Sequence, residues 1–165
     1  DKNEDDCICD DEGIVQQAIR FMIQKSFGDE FEIESAKNGR MAIELAESFR
    51  PDIILMDIQM PGINGIEAME EIKREHKNII FIVLTAYDKF EYARRALLLG
   101  ALDYIEKPLD YAYLIQKVKN AFALMEREQK NLQLLKQSRP LLIEKFSVIS
   151  LTVPAGRLPI VSNLI

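Results

Sequence analysis

A chain of 165 residues holds one ordinary domain and an appendage of about forty residues, since a typical domain takes roughly 100–150. With 48% apolar and 29% charged residues, and no apolar run near the roughly 18–20 that a bilayer span needs, the composition excludes both a disordered chain and a membrane protein. The net charge of −6 divides into −9 over residues 1–125 and +3 over 126–165, which excludes nucleic acid as the main partner of the acidic part.

The chain opens at Asp1 without Met or a basic-then-apolar leader, so it reads as a fragment rather than a secreted precursor. Cys7 and Cys9 lie too close for an easy disulfide and lack zinc-type spacing. They read as small strand hydrophobes in a reducing, cytoplasmic interior. Residues 6–10 form a short, weakly apolar first strand. A helix follows over about 12–27, with Ile14, Val15, Ala18, Ile19, Met22 and Ile23 on one face and Gly28 as its stop. Residues 31–36 read loosely as a strand, and 39–49 as a helix stopped by Pro51. The runs Ile53-Ile54-Leu55-Met56 and Ile79 to Leu84 suit strands buried on both faces. Asn64 opens a helix striped by Ile66, Met69 and Ile72, and Asp88 caps one that ends at Gly100. Leu102 to Ile105 make a fifth strand, and Asp110 starts a last helix through Leu114, Val118, Phe122 and Met125. This β-then-α alternation implies a parallel sheet covered by helices on both sides.

Beyond residue 125 the rhythm breaks. Val118, Ala121, Met125, Leu132 and Leu135 continue close to a heptad seam interrupted by Glu128, and Pro140 ends or kinks it. Residues 126–146 therefore read as a helical linker able to pair with a second copy, against the plainer reading of one amphipathic helix on its own domain. Residues 147–165 are apolar without helix or strand period, and the sequence assigns them no role.

The chemistry lies where strands end. In an open parallel sheet the carboxyl ends of the strands form the ligand crevice. Asp10 and Asp11 end the first strand, Asp57 the third, Thr85 the fourth and Lys107 the fifth. Three carboxylates in one crevice repel unless a cation sits among them, and hard oxygen ligands select Mg²⁺. Asp57 is then a nucleophile able to form an acyl phosphate, Asp10 and Asp11 hold the metal, and Lys107 pairs with a phosphoryl oxygen. Thr85 offers a hydroxyl, Ala86 leaves room beside it, and Pro108 holds Lys107 out of helical geometry, with a cis bond available. Singly, each of these has an ordinary reading: a helix cap, a turn acid, a strand-end threonine, a solvated lysine. Together at four strand ends they do not. His76, beside Lys77, reads as an exposed residue without a carboxylate neighbour.

Asp10-Asp11-Glu12, Met56-Asp57-Ile58-Gln59-Met60-Pro61-Gly62-Ile63-Asn64-Gly65, Leu84-Thr85-Ala86 and Tyr104-Ile105-Glu106-Lys107-Pro108 resemble the motifs of two-component response-regulator receiver domains, in order and spacing over roughly residues 6–125. The resemblance implies a flavodoxin-like (βα)5 fold of sheet order 2-1-3-4-5. It also implies that Asp57 is phosphorylated by a sensor histidine kinase, and that Asp11, Asp57 and the Gln59 carbonyl ligate Mg²⁺ with Asp10 acting largely through water. Thr85 and Tyr104 would be its switch pair, and its only catalysis would be weak self-phosphorylation and self-dephosphorylation. Residues 86–93 and 99–104, with 139–146, are similar to receivers that precede an AraC-type helix-turn-helix domain, which would reach DNA from beyond this sequence. Asp5, Asp6 and Cys7 depart from that pattern, standing where the family is usually apolar. The domains implied are a receiver over 1–125, the linker over 126–146 and the unassigned tail. Phosphorylation-dependent homodimerisation is expected, with Arg94 and Arg95 facing water beside Phe90, Tyr92 and Ala93. The rivals are a receiver-like interaction module that takes no phosphate, and a phosphatase or nucleotide-binding enzyme. The enzyme reading lacks any Gly-rich phosphate loop.

Overall fold

The computed structural model describes residues 11–28, 31–60, 62–86, 90–136 and 145–149, with the backbone alone for Asp11, Glu12, Lys136 and 145–149. Its elements run α1 (Asp11–Phe27), β1 (Glu32–Ala36), α2 (Gly39–Phe49), β2 (Ile53–Asp57), α3 (Gly65–Glu75), β3 (Ile80–Thr85), α4 (Phe90–Leu98), β4 (Asp103–Glu106), α5 (Tyr111–Lys136) and β5 (Lys145–Ile149). All strand pairs are parallel, in the order β1-β5-β2-β3-β4.

Burial on both faces explains the continuous apolar strands. Ile53 and Leu55 of β2 join Ile33, Ile82 and Leu84 under α1 and α5, where Ile19, Ile23, Leu114, Val118 and Phe122 pack. Ile54 and Met56 point the other way, with Phe81 and Val83, toward Ala42, Ala46, Ile66, Met69, Ile72 and Ala96 of α2, α3 and α4. Alternation with period two thus feeds two cores from one sheet. On the first face Phe31 stacks on Phe122 at 5.0 Å, and Phe27 meets both rings edge-on. Such geometries suit the ring quadrupoles. The flavodoxin-like α/β class expected from the sequence is the fold observed.

Helix boundaries follow the chain's polar punctuation. The Asn64 side chain accepts from the amides of Ile66 and Glu67, while Glu67 accepts from the Asn64 amide, completing a capping box. Asn38 caps α2 through Met41, and Asp110 accepts from Tyr113 at the start of α5. Gly28 and Gly100 follow their helices at positive φ, the αL position that glycine tolerates. The expected cap Asp88 lies outside the described residues.

The centre of the sheet differs from expectation. Residues 6–10 were expected there, and they lie outside the described residues. The place between β1 and β2 is instead taken by β5, with Glu32 opposite Lys145 and Ala36 opposite Ile149 on one side, and Ile53 opposite Phe146 and Met56 opposite Ile149 on the other. Residues 145–149, which the sequence places at the end of the linker and the start of the unassigned tail, therefore belong to the sheet. The physical reason is composition. Phe-Ser-Val-Ile carries the aromatic and β-branched residues that strands favour. The helical reading holds through α5 as far as Lys136.

Candidate functional site

Three segments deliver side chains to one edge of the sheet. Asp57 is the last residue of β2, where Ile58 turns away by donating its amide to the Leu84 carbonyl at 3.0 Å. Its carboxylate is 1% exposed. Lys107 follows β4, fixed by its amide's bond to the Thr85 carbonyl at 2.8 Å and joined to Pro108 by a cis peptide. Its ammonium donates to Asp57 Oδ2, making an ion pair across 50 residues of chain. The other oxygen, Oδ1, accepts from the Gln59 amide at 3.0 Å. Thr85 ends β3, is buried, and donates its hydroxyl to the Ala86 carbonyl at 3.1 Å.

Burial pushes the Asp57 carboxyl above its ordinary 3.8, and the Lys107 ammonium and Gln59 amide pull the other way without overcoming it. One cation therefore does not fully compensate this desolvated group. The site holds an oriented carboxylate with one lone-pair face held by a backbone donor and the other by a cation. That arrangement positions an oxygen nucleophile and supplies a positive group for an incoming anion.

The sequence expected Asp10, Asp11, Asp57 and the Gln59 carbonyl to ligate a metal. Asp10 and the Asp11 side chain lie outside the described residues, although the Asp11 backbone opens α1. Among the described residues no three His, Cys, Asp or Glu side chains come together. Asp57 fits a hard cation by donor type, but the described residues do not complete a ligand set. Tyr104 pairs with Val83 across the sheet, is half-buried, and packs against the core cluster of Met56 and Val83. The structure thus brings Asp57, Thr85, Ala86 and Lys107 together, with Tyr104 on the neighbouring strand.

Two positioning features escaped the sequence reading. Gly65 donates its amide to the Ile58 carbonyl at 3.0 Å, and a Cβ there would lie 2.1 Å from the Asp57 carbonyl oxygen. In the sequence it stands only as the second glycine after Asp57. His76, expected to lack a carboxylate neighbour, meets Glu47 at 2.9 Å across 29 residues. On α4, Ala93 and Ala96 are buried, whereas Phe90 is 73% exposed. Arg95 pairs with Glu70 of α3 at 2.5 Å, and both arginines reach water as expected. Among the described residues no helix is long and apolar enough to cross a membrane.

Residues 7–119 match the response regulator receiver domain family. The chain is 38% identical over 117 residues to the regulatory protein AtoC of Escherichia coli, an alignment covering 69% of this chain and 25% of AtoC. It is 34% identical over 113 residues to the transcriptional regulatory protein DegU of Brevibacillus brevis, covering 68% and 47% respectively. It thus spans a quarter to a half of these curated relatives. Among solved structures, the receiver domain of AraT, a response regulator from Geobacillus stearothermophilus, superposes with a TM-score of 0.64 at 35% identity, over 73% of this chain and 93% of that one. With Asp57, Thr85 and Lys107 converging at the carboxyl edge of the sheet inside the matched span, the chain belongs to the response regulator receiver domain family.

Proposed function

We propose that this receiver is a phospho-accepting switch in which Asp57 takes a phosphoryl group from a sensor histidine kinase and controls a transcription-regulating, DNA-binding output domain beyond the residues of this sequence. The observation that carries this reading is the buried Asp57 carboxylate paired with Lys107 at the edge where Thr85 ends β3. An Asp57 oxygen attacks phosphorus as the bond from phosphorus to the donor nitrogen breaks, and that nitrogen keeps the electron pair and takes up a proton. Lys107 exchanges the carboxylate for a phosphoryl oxygen, offsetting the charge that builds up there. The Thr85 hydroxyl, now satisfied locally by the Ala86 carbonyl, turns to donate to the phosphoryl group, and Tyr104 follows into the space released.

Mg²⁺, held by Asp57 with Asp10, Asp11 and the Gln59 carbonyl, would supply charge neutralisation for the phosphoryl oxygens. Phosphorylation adds about −2 charge and biases a pre-existing equilibrium of the last strands and helices. The names of AtoC and DegU as regulators, and the AraC-subgroup resemblance of residues 86–93, support a transcriptional output. Phosphorylation-dependent pairing of two copies in the cytoplasm, and self-dephosphorylation as the only turnover, complete the reading. Incubation with phosphoramidate and Mg²⁺ is expected to add one acid-labile phosphate per chain that Asp57→Asn abolishes. Label persisting at the same level in Asp57→Asn refutes the assignment, and no label in the wild type favours the interaction module.

A further inference from the structure

Lys73, Lys107 and Lys117 are the half-buried lysines among the described residues, and two of them have a carboxylate. Lys107 pairs with Asp57, and Lys117 with Asp103 at 2.5 Å. Lys73, in the third turn of α3, forms no ion pair among the described residues. The acid that could serve it is taken, because Glu70, one turn back on α3, is held by Arg95 of α4 at 2.5 Å. Lys73 Nζ instead donates to the Gly100 carbonyl at 3.1 Å, just past the end of α4, and lies 5.8 Å from the centre of the buried Phe81 ring. A Cβ on Gly100 would stand 2.9 Å from this nitrogen, so the amine packs directly on the Gly100 backbone. Ring face and helix end both favour the charged form. Burial outweighs them and pushes the Lys73 amine below its ordinary 10.5.

We propose that Lys73 is an acylation site whose substrate is an acyl phosphate, and that its modification unfastens the end of α4 from α3. A desolvated lysine without a carboxylate spends a larger share of its time as the free amine, which is the nucleophile. That amine can donate one N–H to the Gly100 carbonyl and keep its lone pair for attack. An acyl phosphate is a mixed anhydride with an electrophilic carbon as well as an electrophilic phosphorus. The Lys73 nitrogen bonds to the carbonyl carbon, the bond from that carbon to the phosphate oxygen breaks, and phosphate leaves with the electron pair while the nitrogen gives up a proton to solvent. The amide so formed has no charge to set against the carboxyl end of α4. With the Gly100 backbone already in contact, the added acyl group displaces the side chain from its place. Of the two polar links from α3 to the end of α4, only Glu70 to Arg95 then remains. The amides of Leu99, Gly100 and Ala101, which close that end on the Arg95, Leu97 and Ala96 carbonyls, lose their brace. None of these steps requires phosphate on Asp57.

Acetyl phosphate tests this on the full chain at about pH 8, where lysines are mostly protonated and the rate follows the free-amine fraction. Peptide mass spectrometry should find Lys73 acetylated at least about threefold faster than the exposed Lys119 and Lys130, with Lys117 slowest. In the urea-unfolded chain that order should collapse to equal rates. Arg95→Met, at an exposed position, releases Glu70 to pair with Lys73 and should bring the Lys73 rate down to that of Lys119. Amide exchange at Leu99, Gly100 and Ala101 should quicken about threefold in the acetylated chain and in Lys73→Gln. Acetylation of Lys73 no faster than that of Lys119 overturns the site, as does a preference that survives in urea. An unchanged Lys73 rate in folded Arg95→Met refutes the account of its missing acid, and should that variant not fold, the comparison with the urea-unfolded chain decides. Unchanged exchange after acetylation overturns the release of α4. Acetyl phosphate also reaches Asp57, so Asp57→Asn is run beside the wild type and should be acetylated at Lys73 equally fast. Loss of Lys73 acetylation in that variant would make it a consequence of phosphorylation and overturn the direct reaction.

Discussion

Gly65→Ala should damage the phospho-acceptor through its backbone. The added Cβ would lie 2.1 Å from the Asp57 carbonyl oxygen, 2.8 Å from Ile58 Cα and 2.9 Å from the Asp57 carbonyl carbon. All three are main-chain atoms, so no rotamer relieves the contact. Against a carbon-to-oxygen contact of about 3.3 Å the gap must open by about 1 Å. The Gly65 amide bond to Ile58 resists that movement, as does the cap that Asn64 places on α3. Overpacking of this kind costs about 2 kcal/mol, which for a chain of this size lowers the melting temperature by roughly 4–8 °C. Displacing a reacting oxygen by about 1 Å can cost up to about a hundredfold in rate, so phosphoramidate labelling of Asp57 should slow at least about tenfold.

Gly62→Ala is the control. Gly62, unlike Gly65, has positive φ, at 76°, but a Cβ there meets nothing within 4 Å. It should cost about 1–2 kcal/mol in backbone strain and leave the labelling rate of folded protein unchanged. Labelling of Gly65→Ala at the wild-type rate, or equal slowing in both variants, would show that Gly65 does not position Asp57.

Asp57→Asn should raise the melting temperature near neutral pH. The folded carboxyl binds its proton more tightly than the unfolded one, so stability falls as pH rises from the ordinary 3.8 through the raised folded value and stays lowered above it. The amide removes that penalty, and Lys107, with its side chain 27% exposed, reaches water. The gain should vanish below about pH 3, where both states are protonated, and a gain independent of pH would contradict this account. Asn64→Ala removes the acceptor for two amides at the start of α3 and should cost about 1–2 kcal/mol by urea titration, against a few tenths for Asn64→Gly.

The legible parts of the molecule share one property: their signals are local. Four of the five strands and all five helices carry period two, period 3.6 or continuous apolar runs, and each side chain of Asp57, Thr85 and Lys107 declares itself by standing where such a run stops. What escaped depends on distant pairing. What makes Lys145–Ile149 a strand is a doubly flanked place formed by β1 and β2 about a hundred residues earlier. The contact of His76 with Glu47, between two elements on the same face of the sheet, is invisible for the same reason. Gly65 was visible as a letter, but only the path of the Asp57 carbonyl gives it a task.

In the described sheet the strand that joins β1 to β2 comes after both of them in the chain, which has a bearing on how the protein is made. With β5 inserted, β1 and β2 have no direct ladder between them, and each awaits a strand encoded after α5. During synthesis at about 5–20 residues per second α5 is made before β5, so among the described strands β1 and β2 lack a partner on their facing edges until then. Such edges invite pairing with other chains. Closure of the sheet by β5 is a late, long-range event of the kind that slows folding.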